Sequence, residues 1–283
     1  MELLSLLLVL SSGLTHALWN LFTKRSIHKS VFLWCIHSVT LVFLMPYFIV
    51  EMSGLRLELP VYGLMLLSMT IQGCYITLLS KAYTHGDMSQ VYPFMRGLGA
   101  MLTSLCSLVL FHEQLSTAGY MGLSLIIFSL FALSGLRLRG QSSVNPKALL
   151  YACLVGLCIS GYTLTDKAIL DAGVSPVSLI QLSNISYFVA LVVPVALSRQ
   201  LKREWSVNWR TILLGSILAP GSYLLFLFAM RLTPLAHIAP VREISTVFGT
   251  VLGIIVLREQ QGWRRIVMSA LITIGIITIA LWG

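Results

Sequence analysis

Charge is what this sequence has least of. Only 10% of its 283 residues are Asp, Glu, Lys or Arg, where a soluble domain carries about 25%. Apolar residues make up 57%, and the mean hydropathy is +0.88. That composition excludes an ordinary water-soluble globular protein. Acids are scarcer than bases, 10 against 19, which leaves a net charge of +9. Nucleic-acid binders gather such an excess on one wet face, whereas these cations are scattered between apolar runs, so no nucleic acid is expected as a partner. The five cysteines (Cys35, Cys74, Cys106, Cys153 and Cys158) are odd in number and all lie within apolar runs. They form no disulfide framework and lack zinc-ligand spacing with histidine, and they read as small packing residues. No metal or cofactor is expected. A GxxxxGK[ST] loop is absent, so ATP is not expected to act directly. HExxH is absent too, and the six histidines are dispersed, which argues against an intramembrane enzyme.

What is present is a succession of long apolar runs. A spanning helix needs about 20 residues, so ten would use roughly 200 and leave only short connections. Runs bounded by charge, Gly or Pro lie near 3–22, 31–50, 61–80, 88–111, 117–136, 148–166, 177–198, 209–230, 236–257 and 263–282. They must be helices, because lipid offers no partner to a free backbone group and the alternation of barrel strands is missing. Glu2 precedes the first run and Lys24, Arg25 and Lys29 follow it. That is the reverse of a secretory signal and suits an uncleaved first helix. The loops after odd-numbered spans hold 14 Lys/Arg, counting those at span margins, and the loops after even-numbered spans hold three. Positive loops stay in the cytoplasm, so both termini are expected outside. The two remaining cations, Arg96 and Arg242, fall inside spans.

The chain divides into halves, 1–140 and 141–283, of five spans each. An odd number of spans per half makes any duplication an inverted repeat. The fourth span reads Tyr92-Pro93-Phe94-Met95-Arg96 and ends at Glu113; the ninth reads Ala239-Pro240-Val241-Arg242 and ends at Glu259. Arginine to glutamate is 17 residues in both. Ala82 and Ala229 each lie 11 residues before the proline, and Trp19-to-Lys24 matches Tyr162-to-Lys167 at five residues. Gly119-Tyr120 and Gly262-Trp263 open spans five and ten.

These segments, with His16-Ala17-Leu18-Trp19-Asn20 and Ala82-Tyr83-Thr84-His85-Gly86-Asp87 running into Val91-Tyr92-Pro93, resemble the EamA-type, ten-helix members of the drug/metabolite transporter superfamily. The resemblance covers essentially the whole chain. It implies an all-α membrane protein of ten transmembrane helices in two inverted five-helix repeats around a central cavity, with spans five and ten peripheral. It further implies movement of small metabolites, commonly exported amino acids or related compounds, across the bacterial inner membrane. The second half departs from the pattern, with Arg231-Leu232-Thr233-Pro234 in place of the His-Gly-Asp turn. A translocator of lipid-linked or polar-headed carriers is the alternative.

Within spans, polar residues mark the candidate site. An ionisable group at the bilayer centre costs about 2.5–3.5 kcal/mol on insertion scales, so Arg96 and Arg242 should face a wet cavity or a partner. Either can hold a carboxylate by two parallel hydrogen bonds, or cap carbonyls around its nearby proline. Glu243 reads as the one acid inside a span. It is the candidate for carrying a coupling proton, or for a fixed ion pair. His16, Trp19 and Asn20 share a helix face. Gln72, Tyr75, Tyr92, Tyr162, Asn184 and Tyr223 are further candidates for contact with substrate, with Gln181 beside Asn184. Glu113 and Glu259 read as structural. Gly249-x-x-x-Gly253 suits close helix packing between spans four and nine or across a dimer. A monomer or homodimer, with a small-molecule substrate and lipids as its partners, is the expectation.

Overall fold

The computed structural model describes residues 3–85, 88–134, 145–257 and 263–283. Among them all regular structure is helical, with no strand. The elements are α1 (Leu3–Arg25), α2 (Lys29–Gly54), α3 (Leu59–His85), α4 (Met88–Leu110), α5 (Thr117–Ser134) and α6 (Pro146–Asp171), followed by α7 (Pro176–Ser198), α8 (Leu201–Leu232), α9 (Leu235–Val241), α10 (Ile244–Leu257) and α11 (Trp263–Trp282). Six of these (α1, α2, α3, α6, α7 and α8) are long and apolar enough to cross a membrane, and Phe94–Leu110, Thr117–Ala132 and Val267–Trp282 are shorter apolar stretches. Large apolar side chains stand open on the outer surface, Phe43 at 79% and Leu197 at 78% exposure. Water would not tolerate so continuous an apolar exterior; lipid does. The chain is a multi-pass membrane protein.

α1 packs along α8 and α10, while α6 packs along α3 and α4. α2 lies against α7 and α8, α3 against α7, and α5 against both α4 and α11. Between α5 and α11 the backbones nearly touch. A Cβ placed on Gly122 would lie 2.8 Å from the Gly275 carbonyl oxygen, and one on Gly275 would lie 2.8 Å from that of Gly122. Small residues permit such an approach in lipid, where packing replaces the hydrophobic drive. Gly249 has no such part. It is exposed, and a Cβ there would meet nothing within 4 Å. Gly249 therefore makes no close packing contact with span four among the described residues, and the side-chain surroundings of Gly253 lie outside them.

Two spans differ from their sequence reading. α8 starts eight residues before the expected 209, because Leu201–Val207 forms an extra helical segment joined to the span at Asn208, whose φ of −111° and ψ of 16° break the helix. Lys202, Arg203 and Trp205 suit that segment to the membrane–water boundary. The ninth span is two helices. Pro240 cannot donate to a carbonyl one turn back. The chain responds with three short-range bonds: Glu243 N–H to Pro240 O, Ser245 N–H to Arg242 O, and Thr246 N–H to Glu243 O. Arg242 and Glu243 sit at that break. Pro220, by contrast, leaves α8 continuous. The carbonyl it frees, that of Ser216, accepts the Thr40 hydroxyl from α2 at 2.6 Å, as buried backbone in a membrane requires.

Three carboxylates tie helix starts to other elements. Glu51, near the end of α2, accepts from the Ser175 backbone N–H at 3.0 Å and from the Ser175 and Ser178 hydroxyls at 2.5 Å, at the start of α7. Glu204, in the first turn of α8, accepts from the His28 backbone N–H at 2.7 Å, just before α2. Glu113 accepts from the backbone N–H groups of Leu235 and Ala236, both at 2.7 Å, at the start of α9. Negative charge belongs at these positive helix ends. Glu259 lies outside the described residues.

Candidate functional site

The helix break at Arg242–Glu243 sends two adjacent charges in different directions. Glu243 reaches α4. Its two carboxylate oxygens accept from Arg96 Nη2 at 2.6 Å and from Arg96 Nε at 3.1 Å, a bidentate pair whose side chains are only 5% and 3% exposed. Arg242 turns toward a small interior cavity instead. Its guanidinium carbon lies 5.0 Å from the Tyr223 ring centroid and 4.3 Å from that of Phe226. Such cation–π contacts supply roughly 0.5–2 kcal/mol but no hydrogen-bond acceptor. Among the described residues the buried Nε of Arg242 has none.

The cavity holds about 40 Å³, far below the roughly 300–1,000 Å³ of an open small-molecule pocket. Its walls come from both halves. α1 contributes His16 and Trp19; α2, His37; α3, Tyr75 and Ile76. From the second half come Tyr162, Ile180, Tyr187, Ala219, Pro220, Ser222 and Tyr223, with Arg242. The rings interlock. Tyr162 meets Tyr75 at 5.5 Å and Tyr223 at 5.8 Å, edge on, while His16 meets Trp19 at 5.0 Å and His37 meets Tyr187 at 4.6 Å. Edge-to-face pairs of this kind hold each ring in one orientation. Besides Arg242 Nε, two buried nitrogens of the lining, His16 Nδ1 and Trp19 Nε1, have no hydrogen-bond partner among the described residues. Orphaned polar atoms are costly inside a protein, and three of them gather around this one cavity.

A second chain of bonds fixes His37. The Gln181 amide donates to the Leu41 carbonyl at 2.8 Å, which leaves Gln181 Oε1 to accept from Asn184 Nδ2 at 3.5 Å. Asn184 Oδ1 is then the acceptor for His37 Nδ1 at 2.9 Å. In the neutral ring this tautomer leaves Nε2 as an acceptor. Donors at Arg242 and Trp19 thus share the cavity with an acceptor at His37.

Six of the residues singled out from sequence line this cavity: His16, Trp19, Tyr75, Tyr162, Tyr223 and Arg242. The others sit behind it. Asn20 donates to the His16 carbonyl one turn back at 2.8 Å. Asn184 positions His37. Tyr92 lies half-buried one turn before Arg96 on α4, and Arg96 and Glu243 occupy one another. Gln72 belongs to a polar cluster around an acid that the apolar runs alone put at a span end, Asp166. α6 continues to Asp171, five residues past the expected end, and encloses Asp166 completely. Glu243 is therefore not the one acid inside a span. His37 and Tyr187 also escaped notice. A histidine in the middle of an apolar run, the reason for choosing His16, applies equally to His37.

Comparisons with known proteins agree with this architecture. Residues 146–281 match the EamA-like transporter family, and residues 49–126 match the Small Multidrug Resistance protein family. No curated protein matches the chain. A solved structure described as "Crystal structure of protein" superposes over 99% of both chains with a TM-score of 0.73 at 16% identity, a likeness of fold. These two family matches, on a helical bundle with an aromatic cavity, indicate a membrane transporter and support an EamA-type member of the drug/metabolite transporters.

Proposed function

We propose that the protein is a secondary transporter that moves a small polar metabolite, an amino acid or organic acid, across the bacterial inner membrane by alternating access, in the direction of export. The observation that carries this reading is Arg242, buried in a cavity lined by residues of both halves with no carboxylate bound to it among the described residues. A guanidinium grips a carboxylate by two parallel bonds, and the surrounding rings suit a ligand with a flat or apolar body. A cavity of about 40 Å³ is too small for such a ligand, so binding requires the walls to part, as a rocking of two halves would make them.

The ten-span inverted repeat is supported by the way the helices pair. Exchanging each element of the first half for its counterpart turns α1 on α8 into α6 on α3, α1 on α10 into α6 on α4, and α2 on α8 into α7 on α3, all observed contacts. The starts of α2 and α7, which the exchange relates, are both clamped by a carboxylate, Glu204 from the first turn of α8 and Glu51 from the end of α2. Arg96 and Arg242 are counterparts in unlike states, one paired and one free, as expected of a repeat in one of its two access states. In this reading Glu243, the acid expected to carry a coupling proton, serves in the present state to hold Arg96 with both oxygens. The loop charges put both termini outside.

A thermal-shift screen of purified protein against amino acids, organic acids, sugars and nucleobases tests the substrate class. A ligand bound only by the folded state adds about 2.7 kcal/mol of stability at 100 times its Kd. An acid or zwitterion with a flat or apolar body should raise the apparent Tm, and Arg242→Ala should erase the rise. Stabilisation by sugars or nucleobases alone would refute the reading.

A further inference from the structure

The transport reading uses Arg242 and Glu243 and leaves one buried acid without a role. Asp166 is 0% exposed and has no cation within 4 Å among the described residues; the charge pairs there are Arg96 with Glu243 and Lys167 with Asp171. Its oxygens are held by neutral donors from two other helices. The Ser68 hydroxyl donates to Oδ1. The Tyr223 hydroxyl donates to Oδ2 at 2.5 Å, and Gln72 Nε2 reaches the same oxygen at 3.3 Å. A carboxylate this deep with no counter-charge is costly to keep ionised, and acids in such places mark ion and proton pathways.

We propose that Asp166 is a reversible proton-binding site, loaded and emptied during the transport cycle. The proposal rests on the transporter reading for its purpose, though not for its chemistry. The cluster can satisfy Asp166 in either charge state. When the carboxylate is ionised, Ser68, Tyr223 and Gln72 all donate to it. When a proton arrives on Oδ1, that oxygen donates to Ser68 Oγ, and the Ser68 hydroxyl needs a new acceptor. Gln72 Nε2 now lies 3.1 Å from Ser68 Oγ, while Gln72 Oε1 is buried with no partner among the described residues. Half a turn of the Gln72 amide puts Oε1 where Nε2 stands, ready to accept that hydroxyl. Hydroxyls that can donate or accept, and an amide that offers either end, make a socket that closes around one proton or none. A purely structural carboxylate needs neither reversal.

The socket adjoins the cavity through one residue. The Tyr223 hydroxyl touches Asp166, while its ring lines the cavity 5.0 Å from the Arg242 guanidinium. A rearrangement of the Tyr223 hydroxyl as Asp166 is loaded or emptied is therefore carried to the ring against which Arg242 rests. The other groups facing Asp166 carry no formal charge: Tyr162 from its own helix and Tyr187 from α7, with Tyr75 of α3 behind Tyr162. On α4, Arg96 is bound to Glu243. On α6 itself, Lys167 is engaged by Asp171 at 2.6 Å. Among the described residues no neighbour supplies a fixed counter-ion that would hold Asp166 in one state.

Difference infrared titration of the purified full-length protein reads the carboxyl directly. The wild type should gain a protonated-carboxyl C=O band as pH falls, and Asp166→Asn should lack it. Tyr223→Phe removes a donor that favours the ionised form, so the midpoint should move about one unit to higher pH. Ser68→Ala should move it the same way, so these two variants decide the matter should Asp166→Asn fail to fold. Identical titrations in wild type and Asp166→Asn, or an unmoved midpoint in both hydroxyl variants, would overturn the proposal. Because the band is read without substrate, a failure of the proton site is told apart from a failure of the transport reading, which appears as an absence of flux.

Discussion

Removing one member of the Arg96–Glu243 pair should be among the most damaging single changes in the protein. The guanidinium and carboxylate meet through two hydrogen bonds, at 2.6 and 3.1 Å, and both side chains are at least 95% removed from solvent. Truncating one partner leaves the other charge buried and unmatched, at a cost of about 3–5 kcal/mol. At about 1.4 kcal/mol per decade, that lowers the folded-to-unfolded ratio by roughly two to four orders of magnitude. The damage also has a place to act, because Glu243 sits at the break between α9 and α10. Loss of its hold on α4 frees the first turn of α10. Replacing both residues with methionine should cost far less than either truncation, since no charge remains to be matched. The assay is reversible denaturant unfolding in micelles of wild type, Arg96→Met, Glu243→Met and the double variant. The cycle should give a coupling energy of about 3 kcal/mol or more. Single-variant losses under about 1 kcal/mol, the ordinary value for a solvent-exposed pair, or strict additivity would refute the reasoning.

Three further outcomes follow from the packing and the topology. Gly122→Val would force side-chain atoms against the Gly275 carbonyl, 2.8 Å from the first of them. It should destabilise the protein by about 1–3 kcal/mol, seen as a lower Tm, whereas Gly249→Val, on an open surface, should leave Tm nearly unchanged. Glu51→Gln keeps the shape of the clamp on α7 but loses its charge and one acceptor oxygen; a drop of about 1 kcal/mol in unfolding free energy is expected, and no drop would make the clamp incidental. Reporter fusions at both termini should report an extracytoplasmic location, and a cytoplasmic carboxy terminus would contradict the loop-charge argument.

How much of this was legible in the sequence depended on the range of the interaction. Apolar runs announce helices, because the bilayer leaves the backbone no other choice, and the break in the ninth span was foreshadowed by Pro240. Residues marked by their own type, such as Arg242 inside a span and His16 with Trp19 on one face of α1, do line the cavity. Residues whose role depends on a distant partner are not so marked. Nothing local to Arg96 announces that Glu243, 147 positions away, will occupy it. Asp166 was hidden because an acid next to Lys167 at the end of an apolar run reads as loop. The i,i+4 pair of Lys167 with Asp171 is the signal that the helix continues past it, and Ser68 and Gln72, one turn apart on α3, are a polar pair in search of a partner. The carboxylate clamps were likewise visible only as loop charges, since a helix start is recognised by its neighbour across space.

The central claim is that a free buried arginine in a cavity between two halves binds the carboxylate of a transported metabolite. The most direct test is counterflow in proteoliposomes, with a panel of radiolabelled amino acids and organic acids, for wild type and Arg242→Ala matched in Tm. Accumulation of at least one acid by the wild type, lost in Arg242→Ala, is the predicted result. Accumulation that survives the loss of Arg242, or no flux of any acid or zwitterion through the wild type, would contradict it.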